Sequence, residues 1–181
     1  MTAIEAARSR RSWPLVTAVA PTTDELLPLV EAAASVADHG ALRPWRLIEV
    51  RGDARRRLGG ALTQASGATG AHADKLAAGP LRAGLLLAVV VVVRPSAKVA
   101  DWEQEATASG VAHLLALLLD EAGWGVMWRT GPLARSGPVR AAHDLADNEH
   151  LLGWLYVGGV PDAAKVNPKP RVDPREFLGA M

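Results

Sequence analysis

The stretch from Leu85 to Val93, LLLAVVVVV, constrains the fold of this chain more than any other. It has no alternation of polar and apolar residues, so a strand here has no face to offer water. It reads as a strand buried on both faces, ended by Pro95-Ser96. The whole apolar run, Ala83 to Val93, is too short to cross a bilayer, which needs roughly 20 residues. A doubly buried strand needs covering layers on both sides, and the rest of the chain supplies them.

Thr2-x-x-Glu5 has the form of a capping box and opens a helix over 3–9, which Trp13-Pro14 closes off. Thr22 caps a second helix with Glu25 three residues on; Leu26, Leu27, Val30, Ala33, Ala34 and Ala37 give it one apolar face over 23–37. Residues 38–45 form a loop, and 46–50 alternate as a strand with one covered face. A helix is expected over 54–65. Ser66 to Gly79 reads as a loose connection with one helical turn. Trp102 to Ala122 is the longest helix, with Val111, Leu114, Leu115, Leu118 and Leu119 on one face and Gly123 as its stop. A strand from Trp124 passes into a loop at Gly131, a helix follows Ser136-Gly137-Pro138 to about Leu145, and Leu151–Val157 is a further strand closed by Gly158-Gly159. Pro161 to Met181 is rich in Pro and charge and reads as an extended arm, stable when laid on another surface. The order of elements gives an α+β class: a central mixed sheet flanked by helices. Residues 1–181 read as a single domain, with about 162–181 as its C-terminal arm.

Composition removes several functions. The chain has no cysteine, which excludes disulfides, thiolate chemistry and Cys-based metal sites. Its net charge of +1 gives no global field for nucleic acid. The N-terminus lacks the apolar core of a secretory signal, so a soluble, cytoplasmic protein without a membrane partner is expected. The histidines at 39, 72, 113, 143 and 150 show no close metal-ligand spacing. P-loop, Gly-x-Gly-x-x-Gly and Gly-x-Ser-x-Gly patterns are missing. Six Trp stand against one Tyr and one Phe, which suits either flat surfaces to line or core filling.

The chemistry-bearing stretch is Arg8-Ser9-Arg10-Arg11-Ser12. Guanidinium forks match phosphate oxygens two at a time, and a serine hydroxyl donates to a third. The same residues also suit a solvated helix end that complements the helix dipole. The motifs that follow choose between these. Arg10-Arg11-Ser12 after a first helix comes before Asp38-His39 with Arg43-Pro44-Trp45 ahead of a strand. Trp102-Glu103-Gln104-Glu105 then opens the long helix, and Gly123-Trp124-Gly125-x-x-Trp128-Arg129-Thr130 and Leu152-Gly153-Trp154-Leu155-Tyr156-Val157-Gly158 follow. This ordered set resembles the nitroreductase family of flavoproteins, most closely its small branch of compact NAD(P)H nitroreductases, from about residue 4 to residue 178.

The resemblance implies a nitroreductase-like fold, a homodimer with the C-terminal arm exchanged, and two FMN at the subunit interface. Arg10, Arg11 and Ser12 match the entry whose basic groups meet the FMN phosphate. His39 and Arg43 match the segment that reaches over from the other subunit, with Arg43 where a Gln is usual. Trp128, Arg129 and Thr130 match the stretch that contacts FMN from the sheet side, and Arg171 matches a basic group near the C-terminus that supports the phosphate. The implied activity is FMN-dependent oxidoreduction with NADH or NADPH as co-substrate, reducing nitroaromatic, quinone or similar flat acceptors by ping-pong hydride transfer. No side-chain acid, base or nucleophile is then required, because the hard chemistry belongs to the cofactor. A flavin-binding protein that sequesters FMN without turnover is the alternative.

Overall fold

A computed structural model describes residues 2–164, 168–170 and 172–181. The helices are α1 (Ala3–Ser9), α2 (Thr23–Ala33), α3 (Asp53–Ser66), α4 (Gly70–Ala78), α5 (Asp101–Glu121) and α6 (Gly137–Ala142); the strands are β1 (Trp45–Val50), β2 (Leu85–Val92), β3 (Trp124–Arg129) and β4 (Glu149–Gly159). Both capping boxes form. The Thr2 and Thr22 hydroxyls each accept the N–H three residues on, and the Glu5 and Glu25 carboxylates accept the cap N–H at 2.7 Å.

The sheet runs β1-β2-β4-β3. All three pairings are antiparallel, so the expected mixed sheet is antiparallel throughout the described residues. The doubly buried β2 stands inside it as its composition requires. Leu85, Leu87 and Val89 pack with α2 and α5 on one face. Leu86, Ala88 and Val90 pack with α3 and residues of the α6 region on the other. Aliphatic burial of this kind is worth roughly 1.5–3 kcal/mol per side chain.

Several elements depart from expectation. α2 stops at Ala33 rather than residue 37 and α6 stops at Ala142 rather than 145, while α1 covers 3–9 as expected. Residues 70–78, expected as a loose connection, form α4. Their Gly and Ala content hides the helix because the packing partner is α3: Gly59 lies so close to Ala77 that a Cβ there would meet its carbonyl oxygen at 2.3 Å. β4 continues through Gly158-Gly159 instead of closing there. Those glycines admit the backbone of residues 16–19, which lies alongside: Thr17 N–H donates to Gly159 O and Gly159 N–H to Val19 O, each at 2.8 Å.

One irregularity positions the site. The β2–β4 register shifts between Val89 and Val90, so Leu152 is an extra residue in β4. Leu151, Trp154 and Tyr156 therefore share the α3/α6 face although 151 and 154 differ in parity. Gly153 has φ +133°, and a Cβ on it would sit 2.3 Å from Arg129 O. The bulge thus brings β4 tightly under the point where β3 ends.

Candidate functional site

β3 ends at Arg129, directly across from Trp154. The chain then leaves the sheet at Thr130 and enters a 3-10 turn over Pro132–Arg135. Between this loop, the sheet and α4 lies a cavity of about 380 Å³, lined by Arg129, Thr130, Trp154, Tyr156, Leu62, Lys75, Leu76, His72 and Arg82 among others. Its size falls in the range of small-molecule sites. The Arg129 guanidinium lies over Tyr156, 5.1 Å from the ring centroid, and Nη2 donates to Pro14 O at 3.2 Å. Arg129 Nε is buried without a partner among the described residues. A buried guanidinium N–H left over in a cavity wall is a donor waiting for an acceptor. Burial pushes the Tyr156 phenol above its ordinary range, against the pull of Arg129 and Arg82, so it stays protonated.

Arg10, Arg11 and Ser12 lie on the extended segment that follows α1. This segment runs along the free edge of β3: Trp13 N–H donates to Val126 O at 2.9 Å, and Trp13 Nε1 donates to Asp120 Oδ1 at 3.2 Å near the end of α5. The Arg11 guanidinium lies 6.0 Å from the Trp13 ring centroid. Lys169 comes in from the C-terminal arm and donates to Arg8 O at 2.5 Å. Desolvation, followed by repulsion from Arg10 and Arg11, lowers the Lys169 ammonium below its usual value, with Asp120 opposing. Among the described residues, Arg10, Arg11 and Lys169 thus gather positive charge at one place, which suits an anion. Arg129, bonded to Pro14, joins this cluster to the cavity.

His39 and Arg43 sit elsewhere. His39 Nδ1 donates to Glu103 Oε2 at 2.9 Å at the start of α5, which with the Ala100 N–H holds the Glu103 carboxyl below its usual range. Arg43 is exposed; its backbone N–H donates to Asp38 Oδ2 at 2.7 Å. Ala41 (φ +51°) and Arg43 (φ +48°) both take left-handed conformations, a local strain of a kind that collects at functional loops. From Glu103 to Asp120 α5 rises about 25 Å at ~1.5 Å per residue. In one chain, therefore, His39 and Arg43 do not meet Arg10 and Arg11.

Trp128 faces the opposite side of the sheet from the cavity. It packs with α5, edge-on to His113 at 5.0 Å, and borders a second cavity of about 420 Å³ together with Glu105, Ser109 and Arg135. Its Nε1 is buried without a partner among the described residues. Thr130 borders both cavities, so the loop after β3 divides them. Arg171 lies outside the described residues. Sequence reasoning missed Lys75, His72 and Arg82, which line the first cavity. The signal was there: His72-x-x-Lys75-Leu76 places an imidazole, an ammonium and a leucine on one helical face once 70–78 is read as a helix.

The chain matches the Nitroreductase family over residues 7–159. It belongs to the nitroreductase family. Among its relatives is the protein named "Putative NAD(P)H nitroreductase YdjA" of Escherichia coli (strain K12), 32% identical over 161 residues, which cover 87% of this chain and 88% of the relative. The fold is shared with a nitroreductase-like family protein from Bacillus cereus, at TM-score 0.83 and 20% identity over 100% of this chain and 96% of that one. It is shared as well with the FMN and NADPH-dependent nitroreductase NfnB from sphigopyxis sp. strain HMH, at TM-score 0.80 and 18% identity over 100% and 99%. Among the described residues, no helix is long and apolar enough to cross a membrane and no cluster of His, Cys, Asp and Glu is arranged for a metal ion.

Proposed function

We propose that this member of the family is an FMN-dependent NAD(P)H oxidoreductase that reduces nitroaromatics, quinones or similar flat acceptors as a homodimer. The observation that carries the reading is the cavity beneath Thr130, where Arg129 keeps a buried Nε–H without a partner among the described residues and is tied through Pro14 to the cluster of Arg10, Arg11 and Lys169. A flat ring seated on Trp154 and Tyr156, with a dianionic tail reaching the cations, fits both parts. When bound, FMN supplies hydride acceptance and donation at its ring.

The chain's own residues hold and bias that group. Arg10 and Arg11 would receive the phosphate in charge-assisted bonds, with Ser12 beside them and Lys169 brought by the arm, and Arg171 is assigned to the same phosphate from its place in the sequence alone. Arg129, Lys75 and Arg82 put positive charge on the cavity wall, which favours negative charge on a ring held there. Thr130 offers a hydroxyl and backbone at its edge. No side chain is assigned as acid, base or nucleophile, and Tyr156 is held protonated.

Two features support a dimer. The outer side of α5 exposes Trp102 (72%), with Ala106 and His113 further along. Val172, Phe177 and Leu178 on the arm are exposed as well, as a segment built to lie on a second copy would leave them. Two α5 helices packed antiparallel bring the His39–Arg43 loop of one copy beside the Arg10–Arg11 cluster of the other, where Arg43 and His39 complete the site. On this reading residues 1–181 are one FMN-binding unit, and about 162–181 are the exchanged arm.

The test is an absorption spectrum of the purified protein, then addition of NADH or NADPH without oxygen. A yellow protein that bleaches, and recovers with a quinone, is expected. A yellow protein that neither nucleotide bleaches is a flavin-sequestering protein, and a colourless one without FMN affinity removes the proposal altogether.

A further inference from the structure

We propose that His143 is a positioning residue for the cavity: in its neutral form it fixes the Trp154 indole as the floor, and it releases that indole on taking up a proton. The inference rests on the reading that the cavity seats a flavin ring, because Trp154 is part of the lining.

Both residues are buried, and each ring atom has one role. Trp154 Nε1 carries a hydrogen and only donates; it lies 3.0 Å from His143 Nε2. Val139 O only accepts; it lies 2.9 Å from His143 Nδ1. These partners leave a single arrangement for the imidazole: hydrogen on Nδ1, lone pair on Nε2, no net charge. The rings are tilted by 40° with centroids 5.9 Å apart, so the hydrogen bond rather than stacking sets the orientation of the indole. A proton on Nε2 places two donors head to head and removes the only acceptor that Trp154 has among the described hydrogen bonds.

The surroundings decide how readily that happens. Burial lowers the affinity of His143 for a proton, and Arg46 of β1 lowers it further, while Val139 O and Asp144 oppose. Arg46 is itself committed to Glu149 of β4, Nε and Nη2 donating to its two carboxylate oxygens at 2.7 and 2.8 Å. A small cavity of about 150 Å³ behind the imidazole is bordered by Glu49 of β1 and Arg57 of α3 as well as Asp144. The cations and carboxylates around the ring are therefore near balance, and desolvation dominates. The latch is closed at neutral pH and opens in acid, below the ordinary imidazole value.

Two readouts test this on the full-length protein. The first needs no flavin: the ¹⁵N indole signal of Trp154, assigned by its loss in Trp154→Phe, is followed from about pH 8 to about pH 5 beside the imidazole nitrogens of His143. The expected result is a Nδ1–H imidazole at neutral pH, and an indole signal that shifts together with His143 protonation while the other tryptophans hold. An indole signal that stays put until the whole protein unfolds overturns the proposal. The second compares FMN affinity of wild type and His143→Gln, whose amide oxygen supplies an acceptor that does not titrate. The wild type is expected to lose about fivefold more affinity than the variant over the same range, the size of one neutral hydrogen bond. The phosphate of FMN titrates equally in both. Parallel affinity profiles overturn the positioning role. No FMN binding at any pH removes the flavin reading instead, and the indole titration then decides the latch alone.

Discussion

Gly153→Ala should damage both the fold and the cavity, and the two costs can be worked from the backbone. Gly153 has φ +133°, a region that side-chain-bearing residues rarely enter. Holding alanine there costs on the order of 1–3 kcal/mol. The new Cβ would also lie 2.3 Å from Arg129 O, with Arg129 C and Thr130 Cα each at 3.2 Å. That neighbour is strand backbone and cannot rotate away, so β3 and β4 must part; overpacking of this kind adds about 1–3 kcal/mol. The total, about 4 kcal/mol, is a large share of the 5–15 kcal/mol that keeps a domain folded. For a chain of this length it corresponds to a fall in Tm of about 10 °C. Gly60→Ala is the matched control. Gly60 lies inside α3 with nothing within 4 Å of a new Cβ, so alanine there should stabilise by about 0.5–1 kcal/mol. The assay is urea and thermal unfolding of the two variants beside wild type, with FMN titrated into whatever folds. A Gly153→Ala protein within a degree or two of wild type, or one that ranks above Gly60→Ala, would refute the reasoning about the β3–β4 approach.

Glu149→Gln should cost about 2 kcal/mol, because it weakens a two-point contact with Arg46 that is buried only on the carboxylate side; urea unfolding measures it. The hydrogen bonds from Arg46 hold the Glu149 carboxyl below the usual carboxylate range. A carboxylate lowered in the folded state contributes stability above its unfolded pKa and loses it as pH falls through the folded one, so the gap between wild type and Glu149→Gln should close progressively below about pH 4.5. Arg10→Ala should leave unfolding unchanged and weaken FMN retention at least tenfold, read by fluorescence of released flavin; full occupancy after the change would detach the phosphate from this cluster. Trp102→Asp should shift the protein toward monomer in light scattering, with FMN lost in parallel if the second copy completes the site. Thr22→Ala removes a capping-box acceptor and should cost about 1 kcal/mol without touching the cavity, as thermal unfolding would show.

Much of the fold could be read from short stretches. Thr2 with Glu5, and Thr22 with Glu25, announced helix starts to the residue, because a capping box closes within one turn. Leu85–Val92 declared itself a doubly covered strand by composition alone. α4 was hidden, since glycine and alanine carry little periodic signal and what selects the helix is its seat against Gly59 on α3. The candidate site was legible as a set of residues but not as an arrangement. Arg129 and Thr130 were named and stand on the cavity. His39 and Arg43 were named too, yet lie about 25 Å along α5 from the cluster at Arg10 in the same chain.

The sequence by itself therefore determined where the two helices with capping boxes begin, which strand is doubly buried, and which family the chain belongs to, for these are properties of neighbouring residues or of their order. The tertiary structure alone decided that Leu152 bulges out of β4, that Trp154 consequently shares a face with Tyr156 and meets His143, and that Lys75 and Arg129 line one cavity. Those outcomes depend on how separate strands settle into register. A one-residue slip changes every side-chain direction beyond it, and that choice is made by the packing of the whole sheet rather than by any stretch of the chain.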